Sequence, residues 1–212
     1  MKSKIVAQAL LALAASVALA LSSCMGMETE VKVSANGSGR VNATYRLSKE
    51  LVSFGELEAN KDMIPVPLSE ADVLKSLHGL QGLKLVSWSQ KDEAADRVIR
   101  TAIDFSSLDS LAVYLDPRGN LAKVSEQSGE HRISFSLGET IPPLDPEMRS
   151  LAKDAFSPYS FVFAFELPSE AKEASSSHPA IRVTRDGKRV RFEGSMAELV
   201  TLETPPSLLL SW

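Results

Sequence analysis

Val31-Lys32-Val33-Ser34-Ala35-Asn36-Gly37-Ser38-Gly39-Arg40-Val41-Asn42-Ala43-Thr44-Tyr45-Arg46-Leu47 decides the fold. Val31, Val33 and Ala35 alternate with Lys32 and Ser34, and Val41, Ala43, Tyr45 and Leu47 alternate with Asn42, Thr44 and Arg46. A period of two sorts side chains onto the two faces of a strand, and the glycines between the runs supply a turn. The stretch therefore predicts a β-hairpin with one apolar and one polar face.

The same pattern recurs downstream. Leu83 to Lys91 and Arg97 to Phe105 read as two strands joined by the polar link Asp92 to Asp96, with Ile99, Thr101, Ile103 and Phe105 on one face. A third hairpin runs from Leu121–Ser125 to Arg132–Leu137 around Ser128-Gly129. Ser160 to Leu167 is a strand carrying Phe161, Phe163 and Phe165 on one face. The last hairpin joins Ala180–Thr184 to Lys188–Glu193 around Asp186-Gly187, a type I′ turn signal, and Ser207 to Trp212 forms a final strand.

Short helices intervene. Ser48–Leu57, Leu108–Leu115, Glu147–Phe156 and Met196–Leu199 are the candidates, together with Glu70–Leu77, where Ser69 is an N-cap and Asp72 reaches back to it. Pro117-Arg118-Gly119 stops the helix before it. The polar, serine-bearing stretch Ser169–Ser177 reads as an exposed loop. The chain is thus α+β, built mainly of antiparallel β-hairpins with short intervening helices.

Ahead of the hairpins, Lys2 and Lys4 precede an apolar run from Ile5 to Leu21, and Leu21-Ser22-Ser23-Cys24 closes it. A basic start, an apolar middle and small residues before a cut describe a secretory signal peptide. The Leu-Ser-Ser-Cys pattern resembles the bacterial lipobox, which implies removal of residues 1–23 and acylation of Cys24, with chains of the palmitate type. Residues 24–212 then form a single lipid-anchored domain in the cell membrane or the outer membrane, on the extracytoplasmic side. Loss of two lysines and no acid moves the formal charge from −4 to −6, which gives nucleic-acid binding no support. Cys24 is the only cysteine, so no internal disulfide forms and the core holds the fold by burial alone.

A lipidated cysteine, a strand ending in Asn36-Gly37-Ser38-Gly39, an aromatic strand closing in Glu166-Leu167-Pro168, a hairpin with Asp186-Gly187 and a terminal strand ending in Trp212 follow one another. That order is similar to the LppM-type bacterial lipoprotein family. The resemblance implies a β-rich α+β envelope domain with apolar-ligand or lipid contact, and it carries over no catalytic residue.

Catalytic chemistry finds no foothold in the pattern. His78, His131 and His178 are scattered without ligand spacing, there is no G-x-S-x-G elbow, and Gly37-Ser38-Gly39 sits between two strands where a dinucleotide fingerprint would open a helix. The chain is read as no enzyme, with no metal and no cofactor. Two features invite functional readings. Arg182, Arg185, Lys188, Arg189 and Arg191 concentrate positive charge in an acidic chain, either for contact with an anionic membrane surface or as a solvated sheet face partnered by Glu193. Phe161, Phe163 and Phe165 either fill the core or wall an apolar pocket. The leading expectation is a structural or interaction module docking on another envelope protein, followed by a module binding lipid or another apolar ligand, with an envelope hydrolase behind both.

Overall fold

The computed structural model describes residues 25–56, 66–127, 129–140 and 142–212. The signal-peptide and Cys24 readings fall on residues outside these. The opening hairpin forms as its alternation predicts: β1 (Met25–Val33) pairs antiparallel with β2 (Gly39–Ser48), from Met25 opposite Leu47 to Val33 opposite Gly39. β1 starts six residues before Val31, where the alternation becomes apolar. Gly26 has no side chain to show, and a Cβ there would stand 3.3 Å from the Tyr159 ring.

Outside β2 lies β4 (Asp96–Phe105), and outside that β3 (Leu83–Asp92), both antiparallel. On its other side β1 meets β7 (Ser160–Glu166) in parallel, from Met27 opposite Phe161 to Lys32 opposite Glu166. β10 (Arg189–Ser195) and β9 (Arg182–Asp186) follow, giving seven strands in the order β3-β4-β2-β1-β7-β10-β9. A second, four-stranded sheet has the order β5-β6-β11-β8, formed by Ala122–Gln127, Glu130–Ser136, Ser207–Ser211 and Glu173–Ser176. Among the described residues are five short helices: α1 (Lys49–Gly55), α2 (Glu70–Leu77), α3 (Leu108–Leu115), α4 (Pro146–Phe156) and α5 (Met196–Leu199). The α+β class of hairpins and short helices is what the chain adopts.

Two local expectations are corrected. The stretch Ser169–Ser177 is no simple loop, because Glu173–Ser176 is β8, an edge strand antiparallel to β11. Its side chains carry no strand signal. Backbone pairing alone makes it, extended by the Lys172 and Ser177 amides donating to the carbonyls of Ser211 and Ser207 at 2.8 and 2.9 Å. The late hairpin also turns one residue further on: Asp186 faces Arg189, so Gly187-Lys188 are the loop residues, and Gly187 takes φ 55°.

The helix caps follow the sequence. The Asp72 amide donates to Ser69 Oγ at 3.2 Å, and the Ser69 amide donates to Asp72 Oδ2 at 3.0 Å, which closes the capping box. Asp145 caps α4 by accepting the Met148 amide at 2.9 Å, with Pro146 in the first turn.

The two sheets pack face to face around one core. Val31, Val41, Phe165 and Phe192 of the large sheet meet Ile133 and Leu210 of the small one, with Leu111 of α3 between them. A smaller cluster of Leu47, Leu51, Val52 and Ile99 lies where α1 follows β2, with Met25 packed against it. Fully burying each of these side chains contributes roughly 1.5–3 kcal/mol.

Gly39 is among the positions that leave no room for a side chain. A Cβ on Gly39 would stand 1.9 Å from the Lys32 carbonyl oxygen and 2.4 Å from Phe105 Cζ. Gly119 differs: its φ of 75° favours glycine, but nothing lies within 4 Å of a Cβ there. Gly39→Ala is expected to cost roughly 3 kcal/mol or more, since backbone must move. Gly119→Ala is expected to cost only about 1–2 kcal/mol, the ordinary penalty of a left-handed residue. Urea unfolding of the two variants checks the difference; equal midpoints would refute it.

Candidate functional site

Because the side-chain period is two, packing Val31, Val33 and Thr29 inward commits Glu28, Glu30 and Lys32 to the opposite face. On that face Glu28, Glu30, Lys32, Arg40 and Asn42 are exposed, while Val98 and Val162 are buried towards the Met25 end. Register lines up Asp186, Arg189, Glu166, Lys32, Arg40, Asp104 and Lys84 in one row across all seven strands. Within it Lys32 Nζ lies 2.9 Å from Glu166, and the Arg40 guanidinium donates to both Asp104 oxygens at 2.6 and 3.1 Å. The next row towards Met25 is milder: Thr184, Arg191, Ala164, Glu30, Asn42, Ala102 and Ser87. Exposed pairs of this kind add little stability, so the face is held in shape by the core beneath it.

The five basic residues of the late hairpin do not share one surface. Arg182, Arg189 and Arg191 lie on the exposed face, Arg185 on the reverse side of β9, and Lys188 in the turn. Most are engaged locally. Arg182 and Arg191 both pair with Glu193, Arg191 at 2.6 Å. Arg185 donates to the Lys172 carbonyl at 2.6 Å and Lys188 to the Pro168 carbonyl at 2.7 Å. Since β7 runs parallel to β1, the Gly187-Lys188 tip stands at the Val33 end of β1, away from Met25.

Phe161, Phe163 and Phe165 are all buried between the sheets. Phe163 packs on Phe165 at 5.2 Å between ring centroids and on Phe135 of the facing sheet at 5.0 Å, while Phe165 meets Phe192 edge-on at 6.4 Å. Such tilted pairs are favourable contacts in their own right. These rings are where the two sheets hold each other.

Several polar clusters carry no sequence motif; some join residues far apart in the chain and others close neighbours. Arg46 reaches Glu93 at 2.6 Å and Asp96 at 3.3 Å, and the Tyr159 hydroxyl donates to Asp96 at 2.8 Å. Arg97 bridges Asp92 and Glu56 at 2.7 and 2.6 Å. Asp116 accepts the amides of Arg118, Leu121 and Ala122, gathering the loop after α3. The Tyr114 hydroxyl bonds to that of Tyr45, and burial pushes Tyr114 well above its ordinary value and Tyr45 above its own. The histidines stay apart: His131 lies against the Trp212 ring at 5.4 Å, and His178 Nδ1 accepts the Ala180 amide at 3.1 Å. Among the described residues no three histidine, cysteine or acidic side chains come together as a metal site.

The perturbed acids all shift one way. The Arg40 guanidinium holds Asp104 below the usual carboxylate range, Arg97 does so for Asp92, Arg46 for Glu93, and Lys32 for Glu166. Backbone amides, led by that of Leu121, do the same for Asp116. Lowered acids contribute stability that is present above about pH 4 and is lost as pH falls through their folded values. Chemical denaturation should therefore give flat stability from about pH 5 to neutrality and a decline below about pH 4. Asp116→Asn should lower stability at neutral pH and shallow the acid decline; an unchanged acid limb would refute the Asp116 assignment. Phe163→Ala should cost about 3–5 kcal/mol in the same assay, through a cavity at the sheet junction.

No protein-family model matches the chain, and no curated protein is similar enough to count as a relative.

Proposed function

We propose that the chain is a lipid-anchored cell-envelope protein of the LppM type, cut after residue 23 and acylated at Cys24. Its domain is a structural or interaction module that docks on another envelope protein. The observation that carries this reading is the exposed, mixed-charge face of the seven-stranded sheet, with its row of seven aligned residues from Asp186 to Lys84. A face of both signs in fixed register selects a partner by charge complementarity, which gives specificity and a fast encounter more than raw affinity. Apolar-ligand sites are concave and lined by apolar groups, whereas the aromatic strand here is engaged with Phe135 and Phe192. No catalytic role and no cofactor enter the proposal.

The test is photo-crosslinking in intact cells producing the full chain, with a photoreactive residue in place of Asn42 at the centre of the face. One recurrent protein adduct is expected. It should vanish when Glu28→Lys and Glu30→Lys are combined, and survive Arg185→Gln on the reverse side. An adduct indifferent to the face substitutions overturns the proposal. So does its absence together with a lipid retained in native mass spectrometry, which would make the domain an apolar-ligand module.

A further inference from the structure

Four strands of the large sheet repeat one arrangement on the outer face, charges of opposite sign four residues apart. β9 carries Asp186 and Arg182, β10 carries Arg189 and Glu193, β1 carries Lys32 and Glu28, and β4 carries Asp104 and Arg100. Register puts the first member of every pair in the row from Asp186 to Lys84. It puts the second member in the row that joins Arg182, Glu193, Glu28 and Arg100, on the other side of the row through Glu30. On the remaining three strands the residue in the second of these outer rows is uncharged: Val162, Thr44 and Ser89.

Such a face matches itself. A two-fold axis laid along the middle row exchanges the two outer rows. Asp186 then meets Arg182 of a second copy, Arg189 meets its Glu193, Lys32 its Glu28 and Asp104 its Arg100. Each contact occurs twice, as in any interface between identical surfaces. We infer that this face joins two copies of the chain, stacked sheet on sheet with their strands antiparallel across the interface. The inference names the partner in the docking reading proposed above, and rests on that reading.

The charge elsewhere keeps two copies apart. The face holds seven basic and six acidic side chains in a chain of 23 basic and 27 acidic residues, so the remaining surface is net negative. The middle row lets two backbones approach, because Thr184, Ala164, Asn42, Ala102 and Ser87 are small or uncharged. Its two charges meet their own copies on the axis. Glu30 there lies beside the Lys32 of both molecules, and Arg191 keeps Glu193 of its own chain at 2.6 Å. Among the described residues neither exposed Glu28 nor exposed Arg100 takes part in an ion pair, and the second copy supplies each with one. Between its outer rows the patch spans about 14 Å along the strands and about 30 Å across them. That is the small end of protein interfaces, so the dimer is reversible and weakens with salt.

A cysteine on the axis faces its own copy. The full chain with Ala102→Cys or Asn42→Cys, in membranes of the producing bacterium, is treated with a short bis-maleimide that spans the roughly 10 Å between stacked sheets. The unsubstituted chain and Ser125→Cys, on the outer side of the small sheet, are the references. Both axis positions should give an adduct of twice the chain mass, at least tenfold above the references. Arg100→Glu or Asp104→Arg alone should abolish the Ala102→Cys adduct, and the two together should restore it, because the charges are then exchanged. Glu28→Lys with Lys32→Glu provides a second, independent exchange, so one misfolded variant does not decide the matter. An adduct indifferent to the single reversals, or restored by neither exchange, overturns the two-fold pairing. An adduct of another mass overturns the second copy but leaves docking on an unlike protein standing. No adduct at either axis position overturns both.

Discussion

Everything in the large sheet depends on the parallel contact between β1 and β7. On one side stand β2, β4 and β3, on the other β10 and β9, each block antiparallel within itself. Only the β1–β7 ladder joins them, and it sets Met27 against Phe161, Thr29 against Phe163 and Val31 against Phe165 on the inner face. The strands are separated by the whole of the second sheet's first hairpin and by α4. A contact of such long sequence separation must close a long loop before it returns any burial, so it is a late and cooperative event in folding. Once made, it brings Phe163 and Phe165 against Phe135 and locks the two sheets together.

The exposed face follows from that inner commitment, and the sheet's two edges are dealt with separately. β9 at one end turns towards β8 of the second sheet. β3 at the other end breaks its register between Leu85 and Ser87 and carries Lys84 and Lys91 on the outer side. An irregularity and lysines on an edge strand discourage pairing with another chain. The edge, where any strand could pair, is thus withheld.

The hairpins were legible because each combines period-two alternation with a glycine where the backbone needs a positive φ, as at Gly37 and Gly187. The α2 capping box and the α3 spacing were legible for a similar reason: the signal lies within one helix turn. What could not be read was set by partners distant in the chain. β8 is Glu-Ala-Ser-Ser, without a β-branched or aromatic residue, and is a strand only because β11 offers it carbonyls and amides. The early start of β1 was hidden by Gly26, which Tyr159 covers. Of the candidate site residues, sequence placed the phenylalanines on one face and Arg189 with Arg191 on another. It named Glu193 as a partner, and Glu193 takes Arg182 and Arg191, but it did not place Arg185 on the other side of its strand.

The two readings of the basic hairpin, contact with an anionic membrane surface and a solvated sheet face partnered by Glu193, can be weighed once the fold puts the hairpin tip at the Val33 end of β1. Magnitudes decide between them. A basic residue near an anionic surface contributes about 1 kcal/mol, but that attraction fades within a Debye length, about 8 Å at physiological salt. The hairpin tip stands some 25 Å along β1 from Met25, at the Val33 end of the strand. The lysine and arginines there have nearer partners: the Pro168 and Lys172 carbonyls and the Glu193 carboxylate. Their positive charge therefore tethers the loop before β8 to the hairpin and pairs with Glu193 on the sheet face, which is the solvated reading.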